Sequence, residues 1–280
     1  MSLRNPNSAG AARPSKGTDR TAAGPDFIRS LARGLDVVKA FGAEHPRMTL
    51  SEVARQTGLT RAAARRFLLT LAELGYVRTD GRVFSLRPKV LELGYAYLAG
   101  FNMNEVAEPH LEELVALTHE SSSVAVLDGA DIVYVLRVPT KRIMTAAISV
   151  GTRFPAYATS MGRALLAHQP ADQLEAYLNT GPFPALTKRT ITDPARLREI
   201  LRTVKAQGYA VTDQELEEGL RSAAAPLRDA TGTVVAAINL STHASRVSLE
   251  DLRRKLLPHL VAAARAIETD LAAREGRHKT

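Results

Sequence analysis

The sequence predicts an α+β chain built from a small helical domain closed by a β-hairpin and a larger domain of antiparallel strands interleaved with helices. Three observations carry this. Residues 27–74 place apolar side chains at helical spacing with two helix-start signals. Residues 76–86 read as two short strands across Asp80-Gly81. From residue 123 onward, short β-branched runs alternate with helical stretches and are joined by tight turns, the pattern of a mixed sheet rather than a doubly wound parallel one.

Residues 1–26 are rich in Gly, Ser, Ala and Pro and carry almost no large apolar side chain, so they are expected to be a disordered tail. Arg13, Lys16 and Arg20 would allow it to act as a minor-groove arm instead. A first domain is expected over 27–87. Phe27–Phe41 is an amphipathic helix with Ile28, Leu31, Leu35, Val38 and Phe41 on the side expected to pack beneath two further helices. Thr49 and Glu52 form a capping box that opens the second helix, with Leu50, Val53 and Ala54 inward, and Gly58 ends it. Thr60 caps the third helix, whose expected buried face is Ala64, Phe67, Leu68, Leu71 and Leu74.

The opposite face of that third helix carries Arg61 and Arg65, four residues apart, with Arg66 beside them. This is where a helix-turn-helix presents side chains to the DNA major groove. Arginines on a helix are more often a solvated face, but here a hairpin follows directly and forms a wing, with Arg78 and Arg82 flanking its tip within reach of phosphate. The charge supports the same reading. Of the net +8, residues 27–100 supply +6 (twelve basic, six acidic side chains), while residues 101–280 are neutral, with 21 of each sign. Phosphate neutralisation needs such a local excess.

A linker helix is expected over 88–100. Val90, Leu91, Leu93, Tyr95, Tyr97 and Leu98 make it apolar around most of its circumference, which suits a contact with a second subunit or docking on its own chain. The second domain, 101–275, begins with a helix from Glu105 to about His119. Strands follow at Ser123–Leu127 and Ile132–Val138, with an extended run at Met144–Val150 and a loop at Gly151–Pro155. Helices are expected at Ser160–His168 (opened by a capping Ser160), 170–179 and 194–207. A strand at Tyr209–Thr212, a hairpin of Ala223–Arg228 with Val234–Leu240, and one long helix from Ser248 to about Arg274 complete it.

Several function classes find no support. There is no G-x-S-x-G elbow, phosphate loop, dinucleotide fingerprint or histidine pair at metal-ligand spacing, so neither metal nor cofactor is expected. Zero cysteines excludes disulfides and thiolate chemistry and fits a reducing cytoplasm. No run of about 18 apolar residues suggests a membrane span. The carboxylates Asp213, Glu215, Glu217 and Glu218 are the one dense acidic cluster. They could supply an acid/base pair for an enzyme acting on a small acid, but an acidic turn before Gly219 is the simpler reading. Polar groups near Tyr157–Ser160, Asp213–Arg221 and Asn239–Ser241 suit a small-molecule site, with Arg137, Arg153 and Arg221 as cations for an anionic ligand.

Beyond these patterns, the stretches SLARGLDVVKAF, LSEVARQTGLTRAAARRFLLTL, LGYV with DGR and FSL, PAYATSMGRALLA and DQELEEGLRSAAAPLRD resemble the IclR family of bacterial transcriptional regulators across residues 27–275. FIRSLARGLDV, RPKVLELGYAYL, VTDQELEEGLRS and NLSTHASRVS are similar to its branch controlling the β-ketoadipate pathway of aromatic acid breakdown. The resemblance implies a GAF-like effector domain, a homodimer or dimer of dimers, and a palindromic double-stranded operator. It places the effector contacts on Ser160, Met161, Asp213, Ser222, Asn239 and Ser241, where Ser160 and Met161 replace the smaller residues of glyoxylate- and pyruvate-sensing relatives. The branch implies β-ketoadipate, protocatechuate or 4-hydroxybenzoate as effector. Their carboxylates would be bound by the serine hydroxyls and backbone N–H groups of these loops, and Asp213 would need to be protonated or to bond a ligand hydroxyl.

Overall fold

The structure, a computed structural model, describes residues 24, 26–100, 103–140 and 148–277. The chain forms two compact units, one ending at Tyr95 and one beginning at Ala96. The run expected at Met144–Val150 falls largely outside the described residues, as does nearly all of the N-terminal tail.

The first unit contains α1 (Arg29–Lys39), β1 (Met48–Thr49), α2 (Leu50–Thr57), α3 (Arg61–Glu73), β2 (Val77–Thr79) and β3 (Val83–Leu86). Local chemistry sets the boundaries. Glu52 Oε2 accepts from the Thr49 N–H at 2.7 Å while the Thr49 hydroxyl accepts from the Glu52 N–H at 3.4 Å, so the capping box is closed in both directions. Gly58 ends α2 at φ +67°, where a Cβ would be strained. Thr60 Oγ1 accepts from the Ala63 N–H at 3.2 Å and starts α3.

Val37, Phe41, Met48, Val53, Ala54, Ala64, Leu68, Val77 and Phe84 form the core. The expected inward face of α1 is corrected. Val37 and Phe41, four apart, point into the core, while Ile28, Leu31 and Leu35 remain 63, 62 and 47% exposed. α1 is apolar on two sides and only one is covered. Leu74, expected to be buried, is 53% exposed for the same reason: it lies beside that uncovered side. The wing turn shifts by one residue. Thr79 pairs with Phe84 and the Asp80 N–H reaches the Val83 carbonyl, so Gly81 (φ +90°) and Arg82 are its central pair. β1 joins the wing through Met48 opposite Phe84, a two-residue strand too short to leave a period in the sequence.

α4 (Leu91–Gly100) spans the division between the units, and α5 (Met103–Thr118) opens the second. Among the described residues six antiparallel strands follow: β4 (Ser121–Asp128), β5 (Asp131–Val138), β6 (Arg153–Pro155), β7 (Ala210–Asp213), β8 (Leu220–Arg228) and β9 (Val234–His243), in the spatial order β6-β5-β4-β9-β8-β7. β6 lies where a loop was expected and is held on the sheet edge by pairing of Phe154 with Ile132. One face of the sheet packs on α5 and on the C-terminal helix through Leu111, Leu114, Ile238, Leu240, Leu260 and Ile267. The other packs on α6 (Ser160–Leu166), α7 (Ala171–Leu178) and α8 (Pro194–Gln207).

That second face is made of small residues: Ala125 on β4, Ser222 and Ala224 on β8, and Ala237, Asn239 and Ser241 on β9. The period of two along each strand puts these on one side, and their size leaves space beneath α6. The C-terminal segment departs from one continuous helix: α9 (Leu249–Asp251) passes through a π turn at Leu252–Leu256 into α10 (Leu257–Arg277). Pro258 supplies the cause, since its ring would clash with the carbonyl four residues back in a regular α-helix.

Candidate functional site

Two surfaces collect the residues singled out from the sequence, one in each unit. On α3, Arg61, Arg65 and Arg66 are exposed, and their guanidinium groups have no partner among the described residues. Thr60 sits at the start of the same helix with its oxygen committed to the cap. On the wing, Arg78 Nε donates to Ser85 Oγ at 3.1 Å, which holds the arginine along the strand, and Arg82 stands in the exposed turn. Asp80 organises that turn. Its Oδ1 accepts from the Val83 N–H at 2.9 Å and the Arg82 N–H at 3.0 Å, and these backbone bonds hold its carboxyl below the usual aspartate range. Arg47 pairs with Asp80 at 3.0 Å and so adds a basic group beside the wing turn that sequence reading missed, because the contact spans 33 residues.

In the second unit a small cavity, ≈ 20 Å³ in volume, lies between α6 and the small-residue face of the sheet. Five of the six residues implied by the resemblance line it: Ser160, Met161, Ser222, Asn239 and Ser241. Asp213 does not. Its neighbour Thr212 faces the cavity, so strand alternation turns Asp213 the other way. There its carboxylate meets Arg221 at 2.7 Å and Arg189 at 2.5 Å. The ligand role for Asp213 is therefore corrected to an ion pair that fastens β7 to β8. The three expected cations are also engaged elsewhere. Arg221 holds Asp213 and the Val247 carbonyl, Arg153 holds Asp128 and Asp131, and Arg137 reaches Ser123 Oγ at 3.3 Å. None of them lines the cavity, and among the described residues its lining contains no charged side chain.

Ser160 was expected to cap α6, but the cap is Thr159, whose hydroxyl accepts from the Gly162 N–H at 3.0 Å. Ser160 is thereby released to meet Ser222 Oγ at 2.8 Å. Gly162 lets α6 lie against Ala156, since a Cβ there would fall 2.2 Å from the Ala156 carbonyl oxygen. Tyr134 lines the cavity from β5, and burial pushes its hydroxyl up to about 12, so the phenol stays protonated. Tyr134 and Leu216 were not picked out from the sequence, because an aromatic on a strand and a leucine in a turn carry no distinguishing pattern.

The acidic cluster is taken apart by the fold. Glu215 is buried against Arg163, which donates to its two oxygens at 2.7 and 2.5 Å and to the Tyr157 carbonyl at 2.9 Å. With Asp213 bound to Arg221, both carboxylates are held in ion pairs. Among the described residues no group of three or more His, Asp or Glu side chains could hold a metal ion, and no helix is long and apolar enough to cross a membrane.

A basic helix-turn-helix with a wing, joined to a unit that encloses a polar cavity, defines the class of ligand-responsive DNA-binding regulators. Both parts match models of one family: residues 30–81 match the IclR helix-turn-helix domain, and residues 95–269 match the bacterial transcriptional regulator IclR C-terminal domain. The chain belongs to the IclR family of transcriptional regulators. It is 46% identical to the Pca regulon regulatory protein of Pseudomonas putida, over 91% of this chain and 88% of that one. It is 35% identical to the p-hydroxybenzoate hydroxylase transcriptional activator of Acinetobacter baylyi, over 84% and 89%. Among solved structures, an IclR homolog from Microbacterium hydrocarbonoxydans complexed with 4-hydroxybenzoate superposes with a TM-score of 0.77 at 27% identity, covering 87% of this chain and 99% of that one.

Proposed function

We propose that this protein controls genes of aromatic acid breakdown by reading a palindromic operator as a dimer and responding to a small carboxylic acid bound in the α6 cavity. The observation that carries the DNA half is the exposed trio Arg61, Arg65 and Arg66, unpaired on the outer face of α3 in the part of the chain that holds the excess positive charge. Arg61 and Arg65, with Thr60, read base edges or adjacent phosphates, and Arg78 and Arg82 grip the backbone. Ser160, Met161, Ser222, Asn239 and Ser241 contact the effector. The relatives support this choice of ligand. One regulates a Pca regulon, one homolog is complexed with 4-hydroxybenzoate, and a double mutant of a PobR inducer-binding domain from Acinetobacter, 30% identical over 59% of this chain, is complexed with 3-hydroxybenzoic acid.

The dimer reading rests on α1 and α4. Leu31, Leu35, Val38, Phe67, Leu71, Leu74 and Leu93 line an apolar groove of ≈ 460 Å³ in the first unit, and Leu91 and Tyr95 stand 69 and 71% exposed beside it in sequence. A monomer rarely leaves that much contiguous apolar surface in water, and a two-fold partner presenting the same surface would cover it. α4 is the transmitter in this account. Leu93 belongs to the groove of the first unit and Leu98 packs on the core of the second, so a change in either reaches the other along one helix.

A thermal-shift screen tests the effector half. A ligand that binds only the folded state at a hundredfold excess over its Kd stabilises it by about 2.7 kcal/mol. A shift with β-ketoadipate, protocatechuate or 4-hydroxybenzoate and none with glyoxylate or pyruvate is expected. The reverse pattern would move the protein to another small-acid branch of the family.

A further inference from the structure

Resting on the reading of the chain as a ligand-responsive regulator, the first unit shows where the linker grips the DNA-reading helix. The N-terminal end of α3, from Thr60 to Arg66, carries the exposed arginines. Its C-terminal end, capped at Leu74, presents carbonyl groups that the N–H groups of the helix cannot reach. Those carbonyls also carry the negative end of the helix dipole.

The start of the linker returns the chain to that C-terminal end. After β3 the Arg87 N–H donates to the Tyr76 carbonyl at 2.8 Å. A 3-10 turn at Pro88–Val90 then leads into α4. Within this turn Lys89 Nζ donates to the Leu74 carbonyl at 3.1 Å and lies 5.3 Å from the centre of the Tyr76 ring. The Lys89 stem runs beside Gly75, whose φ of +83° carries the chain out of α3. Four residues on, Leu93 lines the apolar groove together with Leu71, Leu74 and Tyr76. The first turn of the linker is thus fastened to the far end of the helix that carries the DNA-reading arginines.

We infer that Lys89 is the positioning residue through which α4 moves the recognition helix. α3 has 13 residues and is about 20 Å long at 1.5 Å per residue. A shift imposed at Leu74 is therefore delivered to Arg61 and Arg65 at the other end. The residue type suits the place. A cation is favoured at a helix C-terminus, and an ammonium group bonds a carbonyl while it sits over a ring. Both contacts are lost when the turn at Pro88–Val90 draws away from Leu74. Lys89 is exposed, and contacts of this kind are modest at exposed sites. That strength fits a graded, severalfold response.

The test uses the full chain and a duplex that it selects from a random library. Fluorescence anisotropy gives the DNA affinity with and without saturating protocatechuate, 4-hydroxybenzoate or β-ketoadipate, and the ratio of the two is the readout. Isothermal titration of the same acid without DNA is the second measurement. Lys89→Met keeps the apolar stem and removes the charge. It is expected to bind the acid as the wild type does, while its ratio falls nearly to one. Lys89→Arg, which keeps a cation able to bond a carbonyl and lie over a ring, is expected to restore most of the ratio. A Lys89→Met protein with the wild-type ratio, including one whose DNA affinity drops equally with and without acid, would overturn the inference and leave the regulator reading in place. So would a Lys89→Arg protein that behaves as the methionine variant does. A wild type whose DNA affinity ignores all three acids would overturn both.

Discussion

Arg65 lies four residues after Arg61 on a helix face that nothing else in the described structure occupies. If it makes a bidentate contact to guanine, Arg65→Ala costs about 1–3 kcal/mol of DNA affinity and relaxes the preference at one base pair. Fluorescence anisotropy on operator variants reads both effects, and unchanged sequence preference would remove Arg65 from the reading set. Arg82, in the wing turn, is assigned to phosphate. Its alanine variant is expected to weaken all sequences alike and to lower the salt slope by about 1. A loss confined to one sequence would instead make it a base reader. Gly162 is the corresponding position at the cavity. Gly162→Ala puts a methyl into the Ala156 backbone, so α6 must move off the short 3-10 turn at Ala156–Ala158. Lower melting temperature together with weakened ligand binding is the expected outcome, and a variant indistinguishable from wild type in both would show that α6 has slack there.

At the scale of elements, the start and stop of the first unit's helices follow from short-range chemistry. Thr49→Ala removes one side of the closed capping box and is expected to cost about 0.5–2 kcal/mol of stability, measured by chemical denaturation. No change would mean that tertiary packing alone holds the start of α2. The Arg163–Glu215 pair ties α6 to the turn before β8 and is a contact of a different kind, because both partners are buried. Arg163→Met leaves Glu215 without its cation, at about 3–5 kcal/mol, and pairing it with Glu215→Leu is expected to recover much of that. These elements also show what the sequence makes legible. Caps, Gly58 and the Asp80-Gly81 signal are local, so they were readable to within a residue. The ion pairs of Glu215 and Asp213 depend on arginines 52 and 8 residues away, and no spacing rule connects those pairs. The α1 helix was misread for a related reason. Periodicity finds apolar faces but does not say which is covered by the same chain, and Leu31 and Leu35 proved to be on the uncovered one.

The whole molecule is divided by charge as well as by fold, with the positive excess in residues 1–100 and a neutral remainder. That division predicts DNA affinity falling steeply with salt and effector affinity nearly indifferent to it. The uncovered groove of the first unit predicts self-association. Leu35→Asp places a charge in it and is expected to shift the protein toward the monomer in sedimentation velocity and to reduce operator affinity with it. A variant that remains a dimer would locate the two-fold contact elsewhere. Coupling between the sites requires only that the effector bind two conformations of the chain unequally, since an equal binder shifts nothing.

The most direct test of the account is a DNA titration carried out in the presence and absence of effector. Duplexes selected from a random library by the purified protein would first be sequenced, and the affinity of the best of them measured with and without a saturating hydroxybenzoate or protocatechuate. The account predicts an inverted repeat with half-sites on one face of the duplex and an affinity that changes severalfold when the acid is added. Selection of no sequence, or an inverted repeat whose affinity is the same with and without every acid tested, would contradict the claim that this chain couples a carboxylic acid to the reading of DNA.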